Sequence, residues 1–150
     1  MYLLIYCEWL DSDLVKKSLP DAKLVGKVTL KEHKVAFSSF TEDGSPEMMY
    51  GGCHLEAAPG QTLYGVLYEI SDDELAKLDK LTRVEQGRYI KKFPTVVDEN
   101  GRSYKTVAHS IKNPKGKSRP TKDYMDHMIK GANEHGFPKH YIDLLEKLHY

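Results

Sequence analysis

The sequence has few cysteines and no long hydrophobic segment. Cys7 and Cys53 are the only 2 cysteines in 150 residues, and they form neither a CxxC pair nor a dense disulfide framework. We therefore expect two reduced thiols, with a pairing of the two in space as the open alternative. The longest apolar runs, such as residues 2–7, are far shorter than the ~20 residues of a membrane span. With no export signal before them, the sequence predicts a cytoplasmic protein without a membrane partner.

The chain also lacks an excess of charge of either sign. Lysine plus arginine and aspartate plus glutamate each number 22, so the formal net charge is zero, and nucleic acid is a disfavoured partner. The 7 histidines show no HxxxH or HExxH spacing, so we predict no metal site and no cofactor. A length of 150 residues suits one domain, residues 1–150, around one core.

Strand-like segments outnumber helical ones and do not alternate with them regularly, which favours an α+β fold over a doubly wound sheet. The β-rich or alternating segments are residues 24–30, 34–40, 51–57 and 62–69. Two further strands, residues 89–97 and 103–110, flank the turn signal Asn100-Gly101. Pro94 restricts the first of these to an edge or a bulge, because proline cannot donate a ladder hydrogen bond.

Helix start signals stand at four places. Asp11 or Ser12 can cap a short helix that ends before Pro20, and Ser71 with Glu74 forms a capping box for a helix that ends near Leu81. Towards the end of the chain, Thr121 can cap one helix and Pro138 can open another. The chain is therefore predicted to end in helices.

Four stretches occur in an order that is typical of one family. They are Leu-Pro-Asp-Ala-Lys-Leu-Val-Gly at 19–26, Leu-Tyr-Gly-Val-Leu-Tyr-Glu-Ile at 63–70, Leu78-Asp79 followed by Gly87-Arg88-Tyr89, and Tyr124 before Gly-Ala-Asn-Glu-His-Gly-Phe-Pro at 131–138. Over residues 2–148 the sequence resembles the γ-glutamylcyclotransferase and AIG2-like family. The resemblance implies a small mixed β-barrel with helices packed at its ends.

The resemblance also implies a chemistry. Members of the family cleave γ-glutamyl amides by letting the substrate's own α-amine attack its γ-carbonyl, which releases an amine and 5-oxoproline. This reaction needs a carboxylate base, amide donors for the oxyanion, and walls that hold the substrate in attack geometry. It needs no nucleophile from the protein and no cofactor.

This chain departs from the family pattern at both catalytic segments. The family's Tyr-Gly-Ser-Asn loop reads Tyr6-Cys7-Glu8-Trp9 here, followed by Leu10. The family's catalytic Glu-Gly pair falls on Thr82-Arg83 when counted from either flanking motif. A threonine hydroxyl and an arginine guanidinium cannot accept a proton at neutral pH, so the usual base is missing.

Two carboxylates could replace that base. Glu8 could approach the cavity from the opposite wall, although a carboxylate there could equally serve a helix N-terminus. Glu85 follows Thr82 by three residues and could swing inward, although a solvated loop charge is the plainer interpretation. Cys7 as a nucleophile is a weaker alternative, since no histidine is near it in sequence.

The remaining candidates are substrate contacts, and they come from the matched motifs and the altered loop. They are Tyr6, Cys7, Trp9, Leu10, Thr82, Arg83, Tyr89 and Tyr124. Aromatic residues at such positions often pack in a core instead. Arg83 could hold a substrate carboxylate or pair with Glu8 if it faces the cavity.

Two functions from different classes follow. The first is an enzyme on the cyclotransferase scaffold with an altered site, which acts on a small amine- or carboxylate-bearing metabolite by acid/base chemistry. The second is a catalytically inactive member of the family that binds a small molecule or a protein. A homodimer is compatible with either.

Overall fold

A long antiparallel ribbon of two strands forms the centre of the fold. The computed structural model describes residues 1–39, 51–114, 116 and 118–148. In chain order the elements are β1 (Tyr2–Ile5), a 3-10 helix (Glu8–Leu10), α1 (Ser12–Ser18), β2 (Lys23–Ser39), β3 (Gly51–Glu69), α2 (Asp72–Leu81), β4 (Tyr89–Lys92), β5 (Thr95–Asp98), β6 (Ser103–Lys105), β7 (Ala108–Ile111), α3 (Lys122–Glu134) and α4 (Lys139–Glu146). The α+β class predicted from the sequence is confirmed.

The four β-rich segments predicted before residue 70 are halves of two long strands. Segments 24–30 and 34–40 merge into β2, and segments 51–57 and 62–69 merge into β3. The register shifts between Lys31 and His33, where Glu32 takes a positive φ of 63°. This irregularity lies where the sequence pattern is interrupted, so one strand with a bulge looks like two strands in the sequence. Residue 40 lies outside the described residues.

The main sheet has the order β1-β3-β2-β5-β6, and β4 pairs with β7 in a separate ribbon. The predicted barrel is therefore corrected to an open sheet, since no pairing among the described strands joins β6 back to β1. Pro94 explains the split, because the predicted strand 89–97 breaks at this residue into β4 and β5. The Thr106 hydroxyl donates to the Pro94 carbonyl at 2.7 Å, at the point where the two strand pairs separate.

The predicted helix starts and the predicted hairpin are confirmed. The Asp11 side chain caps α1 by accepting from the Asp13 amide at 3.1 Å, and Ser71 with Glu74 forms the reciprocal capping box of α2. Thr121 caps α3 by accepting from the amide of Tyr124. Asn100-Gly101 lies in the turn between β5 and β6, with Gly101 at a φ of 82°. These features depend on neighbours in the sequence and need little tertiary context.

The backbone of β3 approaches β1, and the backbone of α3 approaches the loop after β1, so closely that only glycine fits. At Gly65, an added Cβ would lie 2.7 Å from both the Ile5 carbonyl oxygen and a methyl of Leu4. At Gly131, an added Cβ would overlap the backbone of Leu10 and Asp11. Both glycines belong to motifs that carry the family resemblance. Their lack of a side chain places β1 and the loop after it against the sheet and α3.

We expect Gly131→Ala to destabilise the fold by about 2–3 kcal/mol, because the new methyl would overpack a rigid backbone contact. Alanine favours helices over glycine by about 1 kcal/mol, so a change at an unhindered helix position would have the opposite sign. Denaturant unfolding measures the difference. The control is Asn133→Ala, which changes an exposed residue of the same helix and should shift stability by about 0.5 kcal/mol or less. A stabilised Gly131→Ala variant would contradict the close approach.

Candidate active site

A cavity of about 270 Å³ opens where β1 ends and the loop to α1 begins. Its walls come from β1 and this loop, the end of α2, and single residues of β3, β4, β7 and α3. The lining residues are Leu3, Leu4, Ile5, Tyr6, Cys7, Glu8, Trp9, Cys53, Leu78, Leu81, Thr82, Tyr89, His109 and Tyr124. Apolar β1 residues form one part of the lining, and the polar groups converge from the other elements.

Most of the predicted site residues meet at this cavity. Of the ten residues named from the sequence, seven line it: Tyr6, Cys7, Glu8, Trp9, Thr82, Tyr89 and Tyr124. They come from four separate parts of the chain, so their convergence is a property of the fold. Their roles in binding or catalysis stay predictions.

Three predicted residues lie outside the cavity lining. Leu10 is completely buried under α3, where its backbone meets Gly131, so its side chain is a core residue. Arg83 takes a left-handed φ of 55° as α2 ends, and the chain turns away from the cavity there. Arg83 and Glu85 are both exposed and outside the cavity lining. Thus neither the guanidinium nor the second candidate base faces a ligand in the cavity.

Thr82 ends α2, at the position that the sequence resemblance assigns to the family's glutamate. Its hydroxyl donates to the carbonyl oxygen of Leu78 at 2.9 Å, within the last turn of the helix. The hydroxyl thus satisfies a helix-end carbonyl and has no basic character at neutral pH. Thr82 can shape the cavity wall, but it cannot take a proton from a substrate.

Glu8 is the only carboxylate among the described residues that line the cavity. It opens the 3-10 helix, and it is half-buried. Burial raises the pKa of Glu8, and nearby His127 partly opposes that effect. A carboxylate with a raised pKa binds a proton more readily than an exposed one, so Glu8 has the chemistry of a general base.

Three tyrosine hydroxyls surround the same space. The Tyr6 hydroxyl donates to the His109 carbonyl oxygen at 2.6 Å. Burial raises the pKa of Tyr6 and of Tyr124, and it raises the pKa of Tyr89 to about 12. All three hydroxyls therefore stay protonated at neutral pH and carry no negative charge, and the hydrogen of Tyr6 is already donated to the His109 carbonyl.

A histidine and an aspartate that the sequence reasoning missed meet at the cavity. Nε2 of His109 lies 2.8 Å from Oδ1 of Asp79, and Nζ of Lys91 lies 2.9 Å from the other oxygen of that carboxylate. His109 lines the cavity, and it stands opposite Lys91 in the β4–β7 ribbon. Asp79 was noted only as part of a family motif. Nothing local in the sequence marks His109, because the strand pairing brings it there.

Cys7 and Cys53 form a disulfide bond across the cavity wall, which overturns the expectation of two reduced thiols. Cys7 follows the end of β1, and Cys53 lies in β3, with 6.9 Å between their Cα atoms. The long β3 strand pairs with β1 near its end and carries Cys53 back to the same cavity. The sulfur of Cys7 is bonded, so Cys7 has no free thiolate for nucleophilic attack.

A buried carboxylate anchors the loop that carries Glu8. Asp11 is almost fully buried, and its oxygens lie 2.8 Å from Nδ1 of His127 and 3.0 Å from Nζ of Lys130, both on α3. Burial opposes ionisation of Asp11, but the hydrogen bonds from these two residues hold its pKa below the usual range. The hydrogen bond to Asp11 in turn raises the pKa of His127. The loop is thus tied to α3 by a buried charge network.

In residues 1–39, 51–114, 116 and 118–148, no group of three or more histidine, cysteine, aspartate or glutamate side chains is arranged to hold a metal ion. None of the helices in those ranges has the length and apolar character that crossing a bilayer requires.

Comparisons with known proteins agree with this architecture. Residues 62–145 match the family model of the AIG2-like family. γ-Glutamylcyclotransferase of Bos taurus is 25% identical over 130 residues, which cover 86% of this chain and 68% of the relative. A solved γ-glutamyl cyclotransferase has a TM-score of 0.88 at 21% identity, over 99% of this chain and 87% of that one. YkqA from Bacillus subtilis has a TM-score of 0.78 at 24% identity, over 98% of this chain and 53% of that one.

We expect reduction of the Cys7–Cys53 bond to lower the free energy of unfolding by about 4 kcal/mol, because the bond closes a long loop in the unfolded chain. The sequence separation of the two cysteines is 46 residues. Denaturant unfolding with and without a thiol reductant measures the effect, and a Cys7→Ser/Cys53→Ser variant should be insensitive to the reductant. Alkylation of both thiols in denaturant without reductant would show that the bond is absent.

His127 should make stability depend on pH. A histidine whose pKa is raised by folding stabilises the native state below its unfolded value of about 6.5, and this contribution is lost as the pH rises through the folded pKa. The groups around His127 are Asp11, Glu8, Asp123 and Lys130. His127→Asn keeps an N–H donor near Nδ1 but does not titrate.

Urea unfolding at pH 5.5 and pH 8.5 tests this contribution. As the pH rises from 5.5 to 8.5, the free energy of unfolding should fall more for the wild-type chain than for the His127→Asn variant. Equal losses in the two proteins would mean that the hydrogen bond to Asp11 does not favour the imidazolium.

Proposed function

The chain belongs to the γ-glutamylcyclotransferase and AIG2-like family, and from this premise we propose that it is a cyclotransferase-like enzyme with an altered active site. Its substrate is a small amide that carries its own ammonium group. The proposal depends above all on one observation, the position of Glu8 as the only carboxylate among the described residues that line the cavity.

Glu8 acts as the proton acceptor in this proposal. It removes a proton from the substrate's ammonium group, and the freed amine attacks the carbonyl of the same molecule. The raised pKa of Glu8 suits that role, because a base is most effective when its pKa approaches the working pH. The cavity walls contribute by holding the amine and the carbonyl close together.

The charges of the cavity favour an amine over a carboxylate on the substrate. Glu8 supplies negative charge, and no lysine or arginine is among the described lining residues. Arg83, which was expected to hold a carboxylate, is exposed to solvent. Trp9 and Tyr124 add aromatic surface, which attracts cations. An ammonium group next to Glu8 is therefore the better match of the two substrate types.

The hydroxyls of the cavity can stabilise the negative charge that develops on the carbonyl oxygen. Tyr89 and Tyr124 line the cavity and remain protonated at neutral pH. The family's glycine and serine are replaced by Cys7 and Glu8 in the loop, so side-chain donors can replace part of the backbone pocket that the resemblance implies. Such donors typically contribute about 3 kcal/mol or more to the barrier.

The second candidate is a binding protein without catalysis. The observation in its favour is the hydrogen bond of Thr82 at the place of the family's base, which leaves the α2 side of the cavity without a proton acceptor. In this alternative, Trp9 and Tyr124 enclose an amine ligand, and Glu8 neutralises the charge of the ligand without taking its proton.

We expect Glu8→Gln to lower kcat by about 10²- to 10⁴-fold, as for the loss of a general base, with a smaller effect on KM. The substrates are γ-glutamyl amines and other small ω-amino amides, and mass spectrometry detects the lactam and the released amine. Glu146→Gln, on the exposed face of α4, serves as the matched control. Thermal unfolding confirms that each variant is folded.

Three outcomes separate the candidates. Turnover that survives in Glu8→Gln but is lost in Glu85→Gln would reassign the base to the second carboxylate. If both Glu8→Gln and Glu85→Gln turn over substrate as fast as the wild-type chain, neither carboxylate is the base. Thermal stabilisation by an amine ligand, with no product from any compound, would favour the binding protein.

A further inference from the structure

A second group in the cavity is arranged to move protons. His109 lies on β7 with its side chain at the cavity wall, and its exposed fraction is 9%. Its Nε2 lies 2.8 Å from Oδ1 of Asp79, a residue of α2. The same carboxylate is held at its other oxygen by Lys91. This arrangement gives the imidazole one fixed orientation, which a merely packed histidine does not need.

The contacts determine which ring nitrogen carries the proton. Burial opposes ionisation of Asp79, but hydrogen bonds with His109 and Lys91 hold its pKa below the usual range, so the carboxylate is ionised and can only accept. Burial lowers the pKa of His109, and this effect outweighs the attraction of Asp79, so the imidazole is neutral at pH 7. A neutral imidazole facing an ionised carboxylate must place its proton on Nε2.

The other ring nitrogen, Nδ1, then carries the free lone pair. In the described part of the chain, the hydrogen bonds of the His109 ring involve Nε2 alone. The buried side-chain atoms that lack a hydrogen-bond partner do not include Nδ1. This nitrogen therefore has access to solvent. His109 lines the cavity, so a ligand there can approach this residue. The group matches the pattern of a base oriented by a carboxylate.

We propose that His109 is a catalytic residue that carries a proton from the attacking nitrogen to the departing nitrogen of the substrate, with Asp79 as its positioning residue. This inference rests on the cyclisation proposed above. It adds a role that Glu8 cannot fill alone, because the attacking nitrogen must lose a second proton while Glu8 still holds the first, and the departing nitrogen must gain one.

The protons and electrons balance without an outside reagent. Glu8 takes one proton from the ammonium group, and the amine lone pair forms the new N–C bond as the carbonyl electrons move to oxygen. The attacking nitrogen, now positively charged, gives a proton to Nδ1 of His109. When the C=O bond reforms, the C–N bond to the departing amine breaks and its electron pair stays on that nitrogen. The nitrogen takes the proton from Nδ1, and Glu8 returns its own proton to solvent or to the released amine.

The test compares two departing amines. An alkylamine is a poor leaving group and needs a proton donor, whereas a nitroaniline leaves readily without one. We expect His109→Gln to lower kcat by about 10²- to 10⁴-fold for a γ-glutamyl alkylamide but by about tenfold or less for the γ-glutamyl nitroanilide. A purely structural histidine would affect both substrates alike.

The control is His54→Gln. His54 is also buried, but it pairs with Ser38 and lies outside the cavity lining. It should change kcat for neither substrate by more than about threefold, since it has no contact with the reacting atoms. Asp79→Asn should reproduce the leaving-group selectivity of His109→Gln in weaker form, because an amide can still accept from Nε2 but no longer stabilises the imidazolium.

The outcomes distinguish this inference from the proposed function. Equal losses for both substrates in folded His109→Gln, or no loss, would overturn the role of His109 while leaving the cyclisation intact. Absence of turnover of both substrates and of the other small ω-amino amides by the wild-type chain would overturn the cyclisation and this inference together. Loss confined to the alkylamide supports both.

Discussion

The structure depends on a backbone contact that leaves no room for side chains. Gly65 of β3 lies against Ile5, and Gly131 of α3 lies against Leu10, so sheet and helix hold the segment between them from two sides. Close-packed backbone cannot shift to make room as a flexible side chain can. The direction of the loop after β1, and with it the position of Glu8, is therefore determined by two glycines that never touch the cavity. The geometry of the cavity is here a consequence of packing.

Hydrogen bonds then hold the loop in that place. Glu134 accepts from the amide of Ser12 at 3.1 Å, and His135 contacts the Leu10 carbonyl oxygen at 3.1 Å. Asp11 pairs with His127 and Lys130 of α3. Because the polar groups of the loop are satisfied by α3, the cavity side of the loop is left for Glu8 and Trp9. The buried charges thus serve the position of the site and add little net stability, as is common for buried ion pairs.

Features set by near neighbours in the sequence were predictable, and those set by strand pairing were not. The caps at Asp11 and Ser71 follow from side chains that satisfy amides two or three residues away. The family resemblance led to half of the residues that line the cavity. The pairing of His109 with Asp79, by contrast, depends on the register of β4 and β7, and the open sheet depends on the split at Pro94. The disulfide depends on the length of β3. No local pattern encodes the histidine–aspartate pairing or the disulfide, whereas Pro94 marked the place of the split without predicting the open sheet.

The contacts between the end of α3 and the segment after β1 are long-range. Ser12 and Glu134 are separated by 122 positions in the chain, and Leu10 and His135 by 125. A nascent chain therefore cannot make these contacts until α3 has left the ribosome. Long-range contacts of this kind form late, because they require the closure of large loops. Occupancy of the cavity is consequently coupled to global folding, so a ligand that fits it protects the entire chain against unfolding, including parts far from the bound molecule.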